Sequence, residues 1–474
     1  ARQRGGGSAG SSTPPRYTAA RRAAGKGMAR RLCGALGGGI SRPRCGLNLP
    51  RSWPRRTLSA LAPSAWHATA PLPADPILGL VAAFKEDTAP QKVNLAQGAY
   101  RTDAGTPFVL ASVKEAERRV AADLRDGLSD KEYLPIEGHA AFRRLSAELV
   151  LGGESPSLRE GRVATLQTLS GTGALSVAAA ALRRVGGIED IFVPSPSWGN
   201  HQPIFTGAGL RVHAYSYLDE RGTGLDFEAM ARELAALPEG CAVLLHACAH
   251  NPTGVDPSAE QWARLAQLFV GRRVLALFDS AYQGYASGDL DADAAAVRLF
   301  EKAGLLPVVC QSYAKSMGLY GERVGAVNFV CSHEDEAAAL MSQVKQRVIR
   351  PVYSSPPLHG ALLAATVLGD AALYAQWRAE LRTMARRVQT MRQMLADELR
   401  AVGAPSPDGG DWSHVTAQIG MFAYTGLSAA QVDAMRAGFH VYLTRDGRMS
   451  MAGMKPDDVP LVARAIHAVC TSQS

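Results

Sequence analysis

Five short runs constrain the fold more than any other feature of this 474-residue sequence. They are "DIFVPSPSWGN" from 190, "CAVLLHACAHNPTG" from 241, "RVLALFDSAYQG" from 273, "PVVCQSYAKS" from 307 and "GAVNFVC" from 325. Each is too continuously apolar for a strand with one wet face, so each reads as a strand covered on both sides. Helical patterns lie between them, as at 227–236 and 258–270. Such alternation implies a mostly parallel sheet flanked by helices. Four of the five runs end in polar, Gly- or Pro-containing turns, and ligands gather at the carboxyl ends of strands in sheets of this kind. Trp198, Asn251, Asp279, Tyr282 and Lys315 are therefore expected around one crevice.

A long helical pattern follows from about 370 to 400, then a smaller α+β segment whose strands are expected in "GMFAYTGL" and "FHVYLTRDGRMSMAGM". The expected organisation is a leader over 1–68, a large domain over 110–385, and a small domain assembled from 75–109 and 386–474. No internal repeat or low-complexity linker interrupts the chain after Asp75.

The formal charge of +8 belongs to the leader. Residues 1–74 hold thirteen Lys or Arg and no acid, which leaves 38 basic against 43 acidic groups, a balance of −5, for the remainder. That argues against a nucleic-acid partner, which needs a basic face on the folded part. An Arg-, Ser-, Gly- and Ala-rich, acid-free leader has the composition of an organelle transit peptide, with Met28 a candidate initiator and cleavage expected at about 58–68. No apolar run approaches the roughly 18 residues of a membrane span, so no membrane partner is expected. Cys241, Cys248, Cys310, Cys331 and Cys470 show no CxxC spacing and read as reduced thiols.

Lys315 is one of nine lysines against forty-two arginines. An ammonium can lose its proton and attack a carbonyl, whereas a guanidinium stays charged. Lys315 is either a surface lysine or a desolvated amine suited to Schiff-base chemistry. "QTLSGTGAL" at 167–175 opens a helical pattern with small residues, so backbone N–H groups there can hold a phosphate. A dinucleotide fingerprint needs a third glycine where Ser176 stands, and a plain capping turn is the simpler rival. Asp279 is a helix cap or the partner of a buried cation. His246 and His250 are four apart, but Ala247 and Pro252 spoil the helical zinc motif, and no metal site is expected. Trp198 suits a core, and Arg350 and Arg448 are surface groups or carboxylate-binding forks.

Taken together, these stretches resemble the pyridoxal-phosphate aminotransferases of the aspartate aminotransferase group, in an organellar form. The resemblance runs from "DPILGL" at 75 to "MAG" at 451. It is carried in order by "NLAQGAYR", "YLPIEGH", "SGTGAL", "PSWGNH", "HACAHNPTG", "FDSAYQG", "SYAKSMGLYGERVG", "YSSPP" and "DGR". It implies the type I fold: a three-layer αβα large domain with a mostly parallel seven-stranded sheet, plus a smaller α+β domain.

By this resemblance Lys315 binds pyridoxal 5′-phosphate covalently and shuttles the substrate proton. Asp279 pairs with the pyridine nitrogen, Tyr282 and Asn251 bond the phenolic oxygen, and Trp198 stacks on the ring. Gly171, Thr172, Ser312 and Arg323 hold the phosphate, with Tyr133 reaching it from the other subunit of a homodimer. Arg448, helped by the backbone at Gly98, forks the substrate α-carboxylate, and Arg350 of the other subunit forks the distal carboxylate. His246 is expected behind Asp279 as its orienting group, with His201 the second choice. The implied reaction is L-aspartate plus 2-oxoglutarate giving oxaloacetate plus L-glutamate, by a ping-pong cycle through pyridoxamine phosphate. An aromatic or broad-range aminotransferase is the alternative. The implied location is the mitochondrial matrix, with plastid stroma as the alternative. Two departures concern substrate tuning: Ala96–Gln97 where the group reads Gly–Val, and Ser355 where it often has Asn.

Overall fold

The computed structural model describes residues 64–472, so positions 1–63 of the expected leader lie outside the described residues. Two units are distinguished, Ala1–Pro71 and Leu72–Ser474. In the first, the described residues 64–71 are exposed.

The second unit contains eleven strands among its described residues: β1 Val93–Asn94, β2 Val163–Leu169, β3 Asp190–Ser195, β4 Arg211–Ser216, β5 Ala242–His246, β6 Leu275–Ser280, β7 Val308–Ser312, β8 Val324–Val330, β9 Phe422–Tyr424, β10 Val441–Tyr442 and β11 Arg448–Ser450. Seven of them form one sheet in the order β2-β8-β7-β6-β5-β3-β4. Only β8 pairs antiparallel, with β2 on one side and β7 on the other, so six strands end at the same edge where β8 begins.

The centre of this sheet is apolar at consecutive positions because both faces are covered. Ala242 and Leu244 of β5 pack into one core with Leu277, Val308, Val327 and the helix Ser170–Arg184. Their neighbours Val243 and Leu245 pack into the opposite core with Phe278, Val309, Trp262 and Phe300. Burying one such side chain contributes about 1.5–3 kcal/mol, so a polar residue on either face of β5 is costly.

A third core joins the remaining elements. Its spine is the 31-residue helix Ala371–Ala401, whose buried Leu373, Trp377, Leu381, Met384, Val388, Met391, Leu395 and Leu399 recur at three- and four-residue spacing. Asp370 caps its start by accepting from the Leu373 N–H. Here β1 pairs parallel with β10, and β9 pairs antiparallel with β11, which sets Arg448 opposite Tyr424. All four short strands fall within 75–109 and 386–474.

Candidate active site

Six strand ends and the start of β8 deliver the chemistry-bearing residues to one edge of the sheet. The chain leaves β2 at Leu169 and turns at Ser170, with φ +62°, directly into the helix Ser170–Arg184. This sharp entry requires Gly325 of β8 beneath it. A Cβ there would lie 2.4 Å from the Gln311 carbonyl oxygen and 2.7 Å from the Ser170 carbonyl carbon. Across the gap stands Ser312, the last residue of β7. Its hydroxyl bonds the Ser170 hydroxyl at 2.9 Å, and a Cβ at Gly171 would come within 3.1 Å of the Ser312 Cβ. Arg323, immediately before β8 and at φ +53°, faces the same hollow with Nη1 on the Tyr320 carbonyl at 3.0 Å. Free helix N–H groups, hydroxyls and a guanidinium with no carboxylate partner among the described residues make an anion cradle.

Gly171, Thr172, Ser312 and Arg323 line this cleft together with Trp198, Asn251, Asp279, Tyr282 and Lys315. Nine expected residues are thus brought into one hollow. Lys315 lies three residues past β7, its Nζ 5.7 Å from the centre of the Tyr282 ring. Burial drives its pKa below the ordinary lysine value, and the positive charges of Arg323 and Arg448 push the same way against the pull of Asp279. Tyr282 is buried and its phenol is pushed up, chiefly by burial. It therefore donates a hydrogen bond rather than carrying charge.

Asp279, at the carboxyl half of β6, is held below the usual carboxylate range. Burial opposes its ionisation, but the hydrogen bond from His201 and the nearby positive charge outweigh it. Its direct partner is His201, Nε2 to Oδ2 at 3.1 Å, and not His246 as the sequence suggested. His246 stands beside Asp279 in strand register, but its ring turns toward Ser197. These hydrogen bonds run in a defined direction. The Asn251 N–H donates to His246 Nδ1 at 3.2 Å, so Nε2 carries the His246 proton toward Ser197 Oγ at 3.4 Å. The Ser197 hydroxyl then donates to His201 Nδ1 at 2.8 Å, leaving His201 Nε2 to donate to Asp279. Burial lowers the His246 pKa to about 3, which keeps that ring neutral as this direction requires.

Arg448, 4% exposed, adjoins this cleft at Asn251. Its Nη1 reaches Asn251 Oδ1 and its Nη2 the Ala96 carbonyl, both at 3.1 Å. Its guanidinium lies 4.1 Å from the Phe422 ring centre, and its buried Nε has no hydrogen-bond partner among the described residues. A buried cation without a carboxylate is poised to take one from a ligand. Gly98 packs against the same ring, where a Cβ would meet the Phe422 Cζ at 2.6 Å.

Tyr133 and Arg350 do not enter this cleft. Tyr133 is 86% exposed, and Arg350 is exposed with Nη1 on Ser354 Oγ at 2.6 Å. Sequence reasoning missed Ser170 and Ser197. Ser170 had a signal, as the hydroxyl that opens "SGTGAL"; Ser197 matters only through what it bridges.

This cleft, an amine beside an anion cradle and a carboxylate at the strand ends of a mostly parallel sheet, defines a fold type I transferase of the pyridoxal-phosphate kind. The chain belongs to the family of class I and II aminotransferases, whose model matches residues 90–466. It is 50% identical over 408 residues to a cytoplasmic aspartate aminotransferase of Oryza sativa subsp. japonica, covering 86% of this chain and 98% of that one. Aspartate aminotransferase 3 of Arabidopsis thaliana, a chloroplastic form, is 50% identical over 399 residues, 84% of this chain and 87% of the relative. Among solved structures, the aromatic-amino-acid aminotransferase of Burkholderia pseudomallei, covalently bound to pyridoxal phosphate, superposes with a TM-score of 0.81 at 43% identity. It covers 86% of this chain and all of that one.

Proposed function

We propose that this chain is an aspartate aminotransferase, moving the amino group of L-aspartate to 2-oxoglutarate in two half-reactions with pyridoxal 5′-phosphate as its cofactor. One observation carries the reading: the buried amine of Lys315 shares one cleft with Asp279 and the anion cradle, and feels the charge of Arg448, which bonds Asn251 of that cleft. The donor set fits the cofactor, with Ser170, Gly171, Thr172, Ser312 and Arg323 for a phosphate and Asp279 for a protonated ring nitrogen. When bound, the cofactor supplies an aldehyde that captures amines and a ring that accepts electrons.

The chain's own residues do the rest. Lys315 would hold the cofactor and, as a neutral base, would take the proton from the substrate α-carbon. Asp279, held ionised by His201, keeps the ring nitrogen protonated. Trp198 would lie against the ring, and Tyr282 and Asn251 would donate hydrogen bonds to its oxygen. Arg448 grips the α-carboxylate with two parallel N–H donors, and the backbone at Gly98 closes over it.

A second copy of the chain completes the site in this proposal, giving Tyr133 to the phosphate and Arg350 to the distal carboxylate. Both side chains are exposed. Beside Thr172 and Arg323 an open apolar groove, lined by Val177, Ile204, Ala208 and Val352, offers a surface for that copy. Leaving Arg350 unpaired in that shared site is what disfavours a neutral amino acid. Segments 75–109 and 386–474 act as a small domain that carries Gly98 and Arg448.

The similarity to an aromatic aminotransferase favours one rival, in which Arg350 swings aside for Phe or Tyr. Steady-state rates with aspartate and phenylalanine separate the two, and equal kcat/KM overturns the dicarboxylate reading. We further propose that the leader directs the protein to an organelle. Its composition suits the mitochondrial matrix, and the chloroplastic relative supports the plastid stroma as the alternative. A reporter fused to residues 1–75 decides between them.

A further inference from the structure

Tyr133 and Arg350 lie 217 positions apart, yet a shared site needs them at one fixed separation, and any residue that holds this separation has its role only if that shared-site reading is right. Neither side chain is buried, so the fixing must come from the backbone that carries each. Gln167 of β2 is wholly buried and is not among the residues lining the cleft. Its backbone N–H donates to the Glu137 carbonyl at 2.9 Å. Its side-chain Oε1 accepts from the His139 N–H at 3.0 Å, and its Nε2 donates to the Pro357 carbonyl at 2.7 Å. One carboxamide thus joins the segment behind Tyr133 to the segment behind Arg350. The approach is so close that only glycine fits at 138: φ is +97°, and a Cβ there would lie 2.3 Å from the Gln167 Cβ. A second tie runs parallel, because Glu137 pairs with Lys345 at 2.6 Å, and Lys345–Ile349 leads directly into the helix Arg350–Tyr353.

We propose that Gln167 is a positioning residue for the other subunit's active site, its carboxamide locking the segments that carry Tyr133 and Arg350 into one unit. Removing it takes the partner from the His139 N–H and from the Pro357 carbonyl at once, and the two segments lose their common reference. The same strand runs on to Ser170 and Gly171. A merely structural defect in β2 would therefore disturb the chain's own phosphate cradle, whereas the proposed role disturbs only its partner's site.

Gln167→Met, close to isosteric, removes both side-chain bonds. In the full-length dimer, amide hydrogen exchange at 135–140 and 353–358 should quicken together. Should the methionine variant not fold, Gln167→Glu keeps the acceptor for His139 and should quicken 353–358 alone. Hybrid dimers then separate the two directions, one chain carrying Lys315→Ala and the other keeping Lys315. With Gln167→Met in the Lys315→Ala chain, KM for both dicarboxylates and the dissociation constant for pyridoxal phosphate should rise about tenfold or more, kcat changing less. With Gln167→Met in the chain that keeps Lys315, both should stay within about twofold of the control. A loss confined to that second arrangement, equal in both, or absent from both overturns the proposal, as does faster exchange at one segment in the methionine variant. A wild type that sediments as a monomer overturns the shared-site reading itself, while the exchange result still decides whether Gln167 joins the two segments.

Discussion

At the scale of single residues, the site depends on which protonation states the surroundings permit. Lys315 is buried beside Arg323 and Arg448, so its amine loses its proton more readily than a solvated lysine. A guanidinium in its place can neither lose a proton at working pH nor form the covalent link. Lys315→Arg should therefore keep the fold and the anion cradle, with an unchanged melting profile, while transamination falls by at least about a thousandfold. Asp279 makes a second test. Its pKa lies below the ordinary value because the His201 bond and nearby positive charge outweigh burial, so the wild-type carboxylate stays ionised as pH falls toward that value. In His201→Phe burial is left with less opposition and the Asp279 pKa moves up. The acid limb of kcat/KM should then shift to higher pH, and an unmoved limb would contradict the role given to His201. The ranking of His201 and His246 could not be read from the chain, because it depends on which ring a helix turn aims at the end of β6.

At the scale of elements, legibility followed burial chemistry. The runs in β3, β5, β6, β7 and β8 were visible because apolar residues occupy nearly every position. The two strands of the seven-stranded sheet that were not visible each have a physical reason. β2 buries Thr165, Gln167 and Thr168, and Thr165 is satisfied by Asn328 at 2.9 Å, so a core strand reads as polar. β4 is an edge strand whose Arg211 and His213 pair with Asp190 in solvent. Tyr282 was legible as a motif residue, but the device that holds its loop was not. Asp293 ends the short helix Leu290–Asp293 and accepts from the N–H groups of Gly284, Ala286 and Ser287 at 2.7, 3.2 and 3.3 Å. Burial lifts its pKa from 3.8 to about 6 despite these bonds, with Asp256 adding to the rise. The folded chain thus binds this proton more tightly than the unfolded chain, and the contribution to stability falls as pH rises through that window. Asp293→Asn keeps an acceptor and removes the charge. Between about pH 4 and pH 7 the stability of wild type relative to this variant should drop by about 2 kcal/mol. Denaturant unfolding of both proteins across that range measures it, and a difference that is flat with pH would show that burial does not control this carboxyl.

At the scale of the whole molecule, one chain supplies an amine, a cradle, Asp279 and one carboxylate fork. It sends Tyr133 and Arg350 outward from the same fold. Such an arrangement has a consequence that mixing can reveal. In the proposed two-fold dimer each site would take Lys315 from one chain and Arg350 from the other. Lys315→Ala homodimers lack the amine in both sites, and Arg350→Ala homodimers lack the distal fork in both, so each preparation alone should turn over aspartate poorly. Unfolded together and refolded, the two chains give hybrids in which one site inherits both intact residues and the other inherits neither. Random pairing makes half of the dimers hybrid, with one working site of two in each, so recovered activity toward aspartate should approach about a quarter of wild type. Were Arg350 to act within its own chain, no pairing could reunite it with Lys315. The mixture would then stay at the level of its two parents, whatever the ratio in which they were combined.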